Sequence, residues 1–170
     1  MINHDKLLFC EVKSIMVDDN ITNKQIHITI DESYFNDVEY NGVAYSDTDT
    51  IILKDFDDKE ILLHELIHLL DFDNRTHYFI LELFESLRGE SLNEALNNDM
   101  DFKVLCDEVT EGYDENDYKH EIYAYFLARW LMDMFEEDGL KALGWLKDIV
   151  FDVCDVVLDI KMEVNSEKIY

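Results

Sequence analysis

The chain has 170 residues, 48% of them hydrophobic, which is typical of one folded domain and argues against a disordered chain. Asp and Glu number 40 against 14 Lys and Arg, and the formal net charge of −26 argues against direct binding to nucleic acid or anionic membranes. The apolar runs are too short to span a bilayer, and no signal-peptide pattern is present. We therefore expect a single cytoplasmic domain over residues 1–170, with reduced thiols at Cys10, Cys106 and Cys154.

The first third of the chain predicts one helix and a small sheet. Apolar residues at helical spacing predict an N-terminal helix over residues 5–17. The alternation of Ile26, Ile28 and Ile30 with polar residues predicts a half-buried strand over 25–31. Three further short strands are predicted from runs of β-branched and aromatic residues bounded by turn residues, at 38–40, 43–45 and 50–53.

Downstream of this sheet, the spacing of apolar residues indicates helices only. Asp57 and Glu60 predict a capped start for the first of them, and Gly89 predicts the end of the second. The first two predicted helices are 57–71 and 76–88, and a third opens at Ser91. The fourth is capped by Asn116 or Asp117 and ends near Gly139, and the last covers 140–162. This order predicts an α+β domain with a mainly helical C-terminal half.

The strongest chemical pattern is His64-Glu65-Leu66-Ile67-His68, inside the apolar run 61–70. Residues four apart lie on one face of an α-helix, so both imidazoles point the same way and Glu65 is about 100° away. Two neutral imidazoles suit Zn²⁺, and the adjacent carboxylate is within reach of a water at the metal. The alternative is a core helix with two incidental histidines, which is disfavoured because buried polar groups without partners are costly.

A catalytic zinc usually has three protein ligands and a water, so the chain must supply one more ligand. Glu121 is the favoured candidate, because it lies on a separate predicted helix and Ala124, one turn later, allows close packing on the first helix. His120 is the competing ligand, since adjacent helical residues diverge and only one of the pair faces the metal. We expect His77 to be an ordinary helix residue and Asp71 to hold an imidazole N–H.

These segments resemble the gluzincin type of zinc metallopeptidase, which pairs a His-Glu-x-x-His helix with a downstream Glu-x-x-Ala helix. The stretch 121–126 is similar to the second helix in the Mlc titration factor and in the catalytic domain of anthrax lethal factor. Ala128, Leu131 and Met132 also resemble the ImmA/IrrE-type metallopeptidases. The resemblance covers about residues 42–132 and implies a zincin-like fold.

What the resemblance implies is a zinc-dependent metallopeptidase, with Zn²⁺ held by His64, His68 and Glu121 and with Glu65 as the general base. It also implies a tyrosine that stabilises the oxyanion; the candidates are Tyr118, which we take as the catalytic tyrosine, and Tyr113.

The expected partner is a peptide or protein substrate. The predicted strand at 50–53 is the candidate to pair with extended substrate. Because the surface is acidic, basic substrates are favoured. Neither the substrate nor the oligomeric state is predicted by the sequence.

Two other classes of function stay open at the level of sequence. One is an acidic inhibitor or decoy that uses its charge to occupy a nucleic-acid-binding groove, with a structural zinc. The other is a non-catalytic binding module built on a zincin fold. Glu65 argues against this second alternative, because a purely structural zinc site needs no base.

Overall fold

The computed structural model describes residues 22–71 and 74–164, and these form six α-helices and one mixed sheet of four strands. The strands are β1 (Thr22–Ile30), β2 (Gly42–Tyr45), β3 (Thr50–Leu53) and β4 (Val156–Val164). The helices are α1 (Lys59–Asp71), α2 (Asn74–Arg88), α3 (Leu92–Asn98), α4 (Met100–Val109), α5 (Glu115–Met134) and α6 (Gly139–Cys154). The α+β class is confirmed, whereas the predicted helix over 5–17 lies outside the described residues.

The sheet has the order β2-β3-β1-β4. Strands β3 and β4 run parallel to β1 on either side of it, and β2 runs antiparallel to β3. Ile26 and Ile28 of β1 are buried, as their alternation with polar residues predicted. Within the described strands, β2 is therefore one edge of the sheet and β4 the other.

The predicted strand at 38–40 is wrong, because this segment follows a short 3₁₀ helix, Glu32–Phe35, and has no strand pairing. The turn expected at Asn41-Gly42 is also wrong, whereas the second turn that the sequence predicts, over residues 47–49, is confirmed. Gly42 is the first residue of β2, and the β2–β3 turn lies at 46–49, where Asp49 has a φ of 48°. An Asn-Gly pair favours a tight turn, but here it precedes a strand that packs closely on α1.

The C-terminal part contains the largest departure from the prediction of helices only. The helix predicted over 140–162 ends at Cys154, where Asp155 adopts a left-handed conformation with a φ of 58°. The chain then forms β4, in which Val156 and Leu158 are buried and Val157 is 39% exposed. Burial that alternates from residue to residue is typical of a strand. In the sequence this strand pattern follows the helical pattern with no glycine or proline between the two, so nothing marks the change.

Helix starts depend on carboxylates that differ from the predicted ones. Asp58, not Asp57, caps α1, because its Oδ1 accepts the backbone N–H of Ile61 at 3.2 Å. At α5, Oδ1 of Asp114 accepts the backbone N–H of Asp117 at 3.1 Å, so Asp117 lies inside the helix rather than capping it. The capping box at Ser91 is confirmed.

Helix α5 ends earlier than predicted, at Met134 rather than near Gly139. Glu136 and Glu137 both have positive φ, which ends the helix before any glycine is reached. Gly139 instead begins α6, which Asp138 caps by accepting the backbone N–H of Lys141.

Helix α1 lies in the middle of the domain, in contact with β2 and β3 on one side and with α2, α5 and α6 on others. Its leucines at 62, 63, 66, 69 and 70 are almost fully buried, which fixes the rotation of the helix about its axis. Among the described helices, none has the length and apolar character needed to cross a bilayer.

Candidate metal centre

Three side chains from two helices converge at the end of a cleft. His64 Nε2 lies 3.0 Å from Glu121 Oε1, and His68 Nε2 lies 3.0 Å from Glu121 Oε2. The two Nε2 atoms are 3.1 Å apart, and their rings are nearly perpendicular, at 79°. Helix α1 supplies both histidines and α5 supplies the glutamate, as the sequence predicted for this trio.

The donor set and its dimensions fit zinc. With bonds of about 2.0–2.1 Å, neighbouring ligand atoms of a tetrahedral zinc lie about 3.3 Å apart. The three distances here are 3.0, 3.0 and 3.1 Å, close to one face of such a tetrahedron. An Nε2 atom has either one N–H or one lone pair, so neither imidazole can bond the carboxylate and the other imidazole together. One cation shared by all three groups removes this conflict.

Electrostatics keep Glu121 ionised. Burial alone would raise the pKa of this carboxyl, but hydrogen bonds from His64 and His68 lower the pKa to about 2. Glu121 is 9% exposed, so its charge is balanced by these two side chains rather than by solvent. A buried carboxylate held ionised next to two imidazoles is ready to bind a divalent cation.

Glu65 has the opposite electrostatic environment. Burial, together with the negative charge of Glu121, raises the pKa of Glu65 to about 7, with His68 opposing the shift. Glu65 is 8% exposed and lines the cleft, and no hydrogen bond from the described residues reaches its carboxylate. A carboxylate whose pKa is near neutral, and to which none of the described residues hydrogen bonds, has the properties of a general base.

The two candidate tyrosines lie in different environments. The hydroxyl of Tyr118 donates to Asp107 Oδ1 at 3.3 Å, and Tyr118 does not line the cleft. Tyr113 does line it, and burial, the charges of Glu121 and Glu65, and a hydrogen bond to Glu121 raise the pKa of its hydroxyl. Of the two candidates, Tyr113 therefore lies in the cleft and Tyr118 lies outside it, and the catalytic role of either tyrosine stays a prediction. The helical start at Glu115 turns Tyr118 towards α4.

His120 lies beside the trio but outside it. Its ring is 5.5 Å from that of His77, and burial followed by the charge of His68 lowers its pKa. Of the pair at 120 and 121, Glu121 faces both imidazoles, as adjacent helical positions require. The side chain of Asp71 lies outside the described part of the structure, so its predicted contact with an imidazole stays a prediction.

The cleft in front of the trio has a volume of about 690 Å³. Besides Glu65 and Glu121, its carboxylates are Asp58, Glu60 and Asp117, and no Lys or Arg of the described residues lines it. Tyr40 and Tyr125 add aromatic surface. Sequence reasoning assigned no role in the cleft to Asp117 or Tyr125, although they lie one turn before and one turn after Glu121, on the same face of α5.

Residues 50–53 form a strand as predicted, but this strand cannot pair with substrate because it lies inside the sheet. It is β3, which pairs with β1 on one side and with β2 on the other, so neither of its edges is open. The strand that borders the cleft is β2, whose Gly42, Val43 and Ala44 line it. Short strands of similar composition do not indicate their order in a sheet, so sequence could not separate the two.

Comparisons with known proteins add no relative to this description. No protein-family model, curated protein or solved structure gives a significant match to the chain.

Proposed function

We propose that this protein is a zinc-dependent peptide hydrolase of the gluzincin type. The observation that carries the proposal is the position of Glu121, whose two carboxylate oxygens are each 3.0 Å from a histidine Nε2 of the His-Glu-x-x-His helix. His64, His68 and Glu121 would hold Zn²⁺. When bound, the metal supplies a Lewis acid that polarises the peptide carbonyl and lowers the pKa of a water.

Glu65 acts as the general base in this proposal. Its carboxylate takes a proton from the attacking water and passes it to the leaving amine nitrogen. The supporting features are its burial, its pKa of about 7 and its position beside the trio on the same helix. Because no described residue hydrogen bonds to this carboxylate, it is free to bond a water in the cleft.

Tyr113 and strand β2 orient the substrate. The Tyr113 hydroxyl, whose raised pKa keeps it protonated at neutral pH, bonds Glu121 in this structure, and on release from that carboxylate its one O–H would donate to the oxyanion that forms at the scissile carbonyl. The edge of β2 that pairs with no other described strand offers backbone N–H and C=O groups to an extended peptide along the cleft. Substrate is then held between an edge strand and the helix that carries the base.

The test is a cleavage profile of a proteome-derived peptide library, with Glu65→Gln as the catalytic variant. Gln keeps the shape of Glu but cannot accept the proton, so cleavage should fall by about 100- to 10,000-fold while zinc stays bound. Glu82→Gln, which removes one exposed carboxylate from α2, is the matched control and should cleave like the parent. Equal cleavage by the parent and Glu65→Gln would refute the assigned base.

A further inference from the structure

Gly42 lies where the edge strand packs closely against the helix that carries Glu65. It pairs with Leu53 across the β2–β3 ladder and lines the cleft. A Cβ added at this position would lie 2.5 Å from Ile61 Cγ2, and 3.2 Å from both Glu65 Cγ and Leu53 Cδ2. The first distance is shorter than real Cβ contacts allow, so a side chain at position 42 must shift either the Ile61 side chain or β2 itself.

The other residue on the same face of β2 is also small. Side chains alternate along a strand, so Gly42 and Ala44 point to one side, and Ala44 packs against the core. Together they let the backbone of β2 approach α1. At Gly42 the approach leaves no room for a Cβ, next to the aliphatic part of the Glu65 side chain.

The Glu65 carboxylate has no hydrogen bond from the described residues, so packing on its methylene groups must set its direction. Gly42 is the residue of β2 whose added Cβ would contact Glu65 Cγ. The same residue begins the strand along which substrate is proposed to lie. The distance between β2 and α1 at Gly42 therefore affects both the position of the Glu65 carboxylate and its distance from β2.

We propose that Gly42 is a positioning residue, which fixes the distance between the edge strand and the Glu65 carboxylate. This inference rests on the proposed function, because it assigns Glu65 as the base and β2 as the substrate strand. Gly42 acts through the absence of a side chain and touches no reacting atom. A larger residue there displaces β2 from α1 and separates the bound peptide from the base, without moving the trio on α1 and α5.

The experiment compares Gly42→Ala with the double variant Gly42→Ala/Ile61→Leu. Leucine lacks the γ2 methyl that the new Cβ would meet, so the double variant makes room for it. Gly144→Ala on α6 is the control, because a Cβ there meets nothing within 4 Å. Zinc content is measured for all variants, and kcat and KM are measured on one cleaved peptide relative to the parent and to Ile61→Leu.

We expect Gly42→Ala to keep its zinc and to lose about 100-fold in kcat, with KM within about twofold, as for a base displaced by about 1 Å. The double variant should recover most of this loss relative to Ile61→Leu. A parental kcat in Gly42→Ala would overturn the proposal. A loss that Ile61→Leu does not restore would overturn it too.

A readout without turnover separates this inference from the proposed function. A peptide hydroxamate binds zinc and also hydrogen bonds to a correctly placed general base, so its affinity for the zinc-loaded protein should weaken in Gly42→Ala and recover in the double variant. Equal hydroxamate affinity in the parent and Gly42→Ala would count against the role of Gly42. If the parent protein binds the hydroxamate but cleaves no peptide, the result would count against the proposed hydrolase function.

Discussion

His64 Nε2 and Glu121 Oε1 lie 3.0 Å apart although the two residues belong to different helices. Their pairing depends on the register between α1 and α5. A second contact supports this register, because Arg129 on α5 donates to Glu60 on α1 over 3.1 Å, one turn from His64 and two turns from Glu121. The position of the trio therefore depends on how these two helices pack.

The identity of the third ligand can be tested by removing the two candidates separately. Glu121→Ala should weaken zinc binding by more than about 100-fold, because it removes a ligand rather than an outer contact. His120→Ala should change zinc affinity by less than about threefold, since its ring lies beside His77 and outside the trio. Chelator competition measures both affinities, and the reverse ranking would reassign the ligand.

The two candidate tyrosines give a second matched pair of variants. Tyr113→Phe should lower kcat by about 100-fold, the usual cost of one lost oxyanion donor. Tyr118→Phe should leave kcat nearly unchanged and cost at most about 1 kcal/mol in the free energy of unfolding, because its hydroxyl bonds Asp107 on α4. Steady-state kinetics and urea unfolding give the two quantities. A larger kcat loss in Tyr118→Phe than in Tyr113→Phe would restore the assignment made from sequence.

Substrate charge should affect the encounter with the cleft. Peptides with Lys or Arg flanking the cleaved bond should have a higher kcat/KM than matched acidic peptides, and added salt should reduce the difference. The Asp58→Asn/Asp117→Asn variant should weaken the preference, because both carboxylates line the cleft and Asn still caps α1. Asp101→Asn, exposed on α4, is the control. A preference for acidic flanks would mean that the surface charge does not serve substrate capture.

The C-terminal strand predicts an alternation of stability effects. Leu158→Ala should cost about 2–4 kcal/mol in the free energy of unfolding, because Leu158 is 3% exposed in the core beneath β4. Val157→Ala should cost less than about 1 kcal/mol, since its side chain is 39% exposed. Denaturant unfolding of both variants measures these costs. Equal costs at the two positions would contradict the strand.

Residues that follow a clear local period were predicted correctly from the sequence. Three examples depend only on residues close by in the sequence. They are the isoleucines of β1, the capping box at Ser91 and the paired histidines of α1. Glu121 could be selected as the candidate third ligand because it lies on a predicted helix and the small Ala124 follows one turn later. In each case the local pattern and the packing favour the same structure.

The features that were predicted wrongly depend on contacts distant in the sequence. Strand β4 follows α6 directly, and only pairing with β1 shows that the period has changed from helix to strand. Gly42 was assigned to a turn because the Asn-Gly pair favours one, whereas its packing against Ile61 places it in a strand. The sequence could not show which of Tyr113 and Tyr118 reaches the cleft, because that depends on where α5 begins.

Elemental analysis of the protein purified without chelator tests the central claim, that His64, His68 and Glu121 hold zinc. The account predicts about one zinc per chain in the parent and very little in the His64→Ala/His68→Ala variant, which lacks both imidazoles. The variant should remain folded by circular dichroism, because the buried leucines of α1 are unchanged. A folded parent that contains no zinc, and takes up none on reconstitution, would contradict the account.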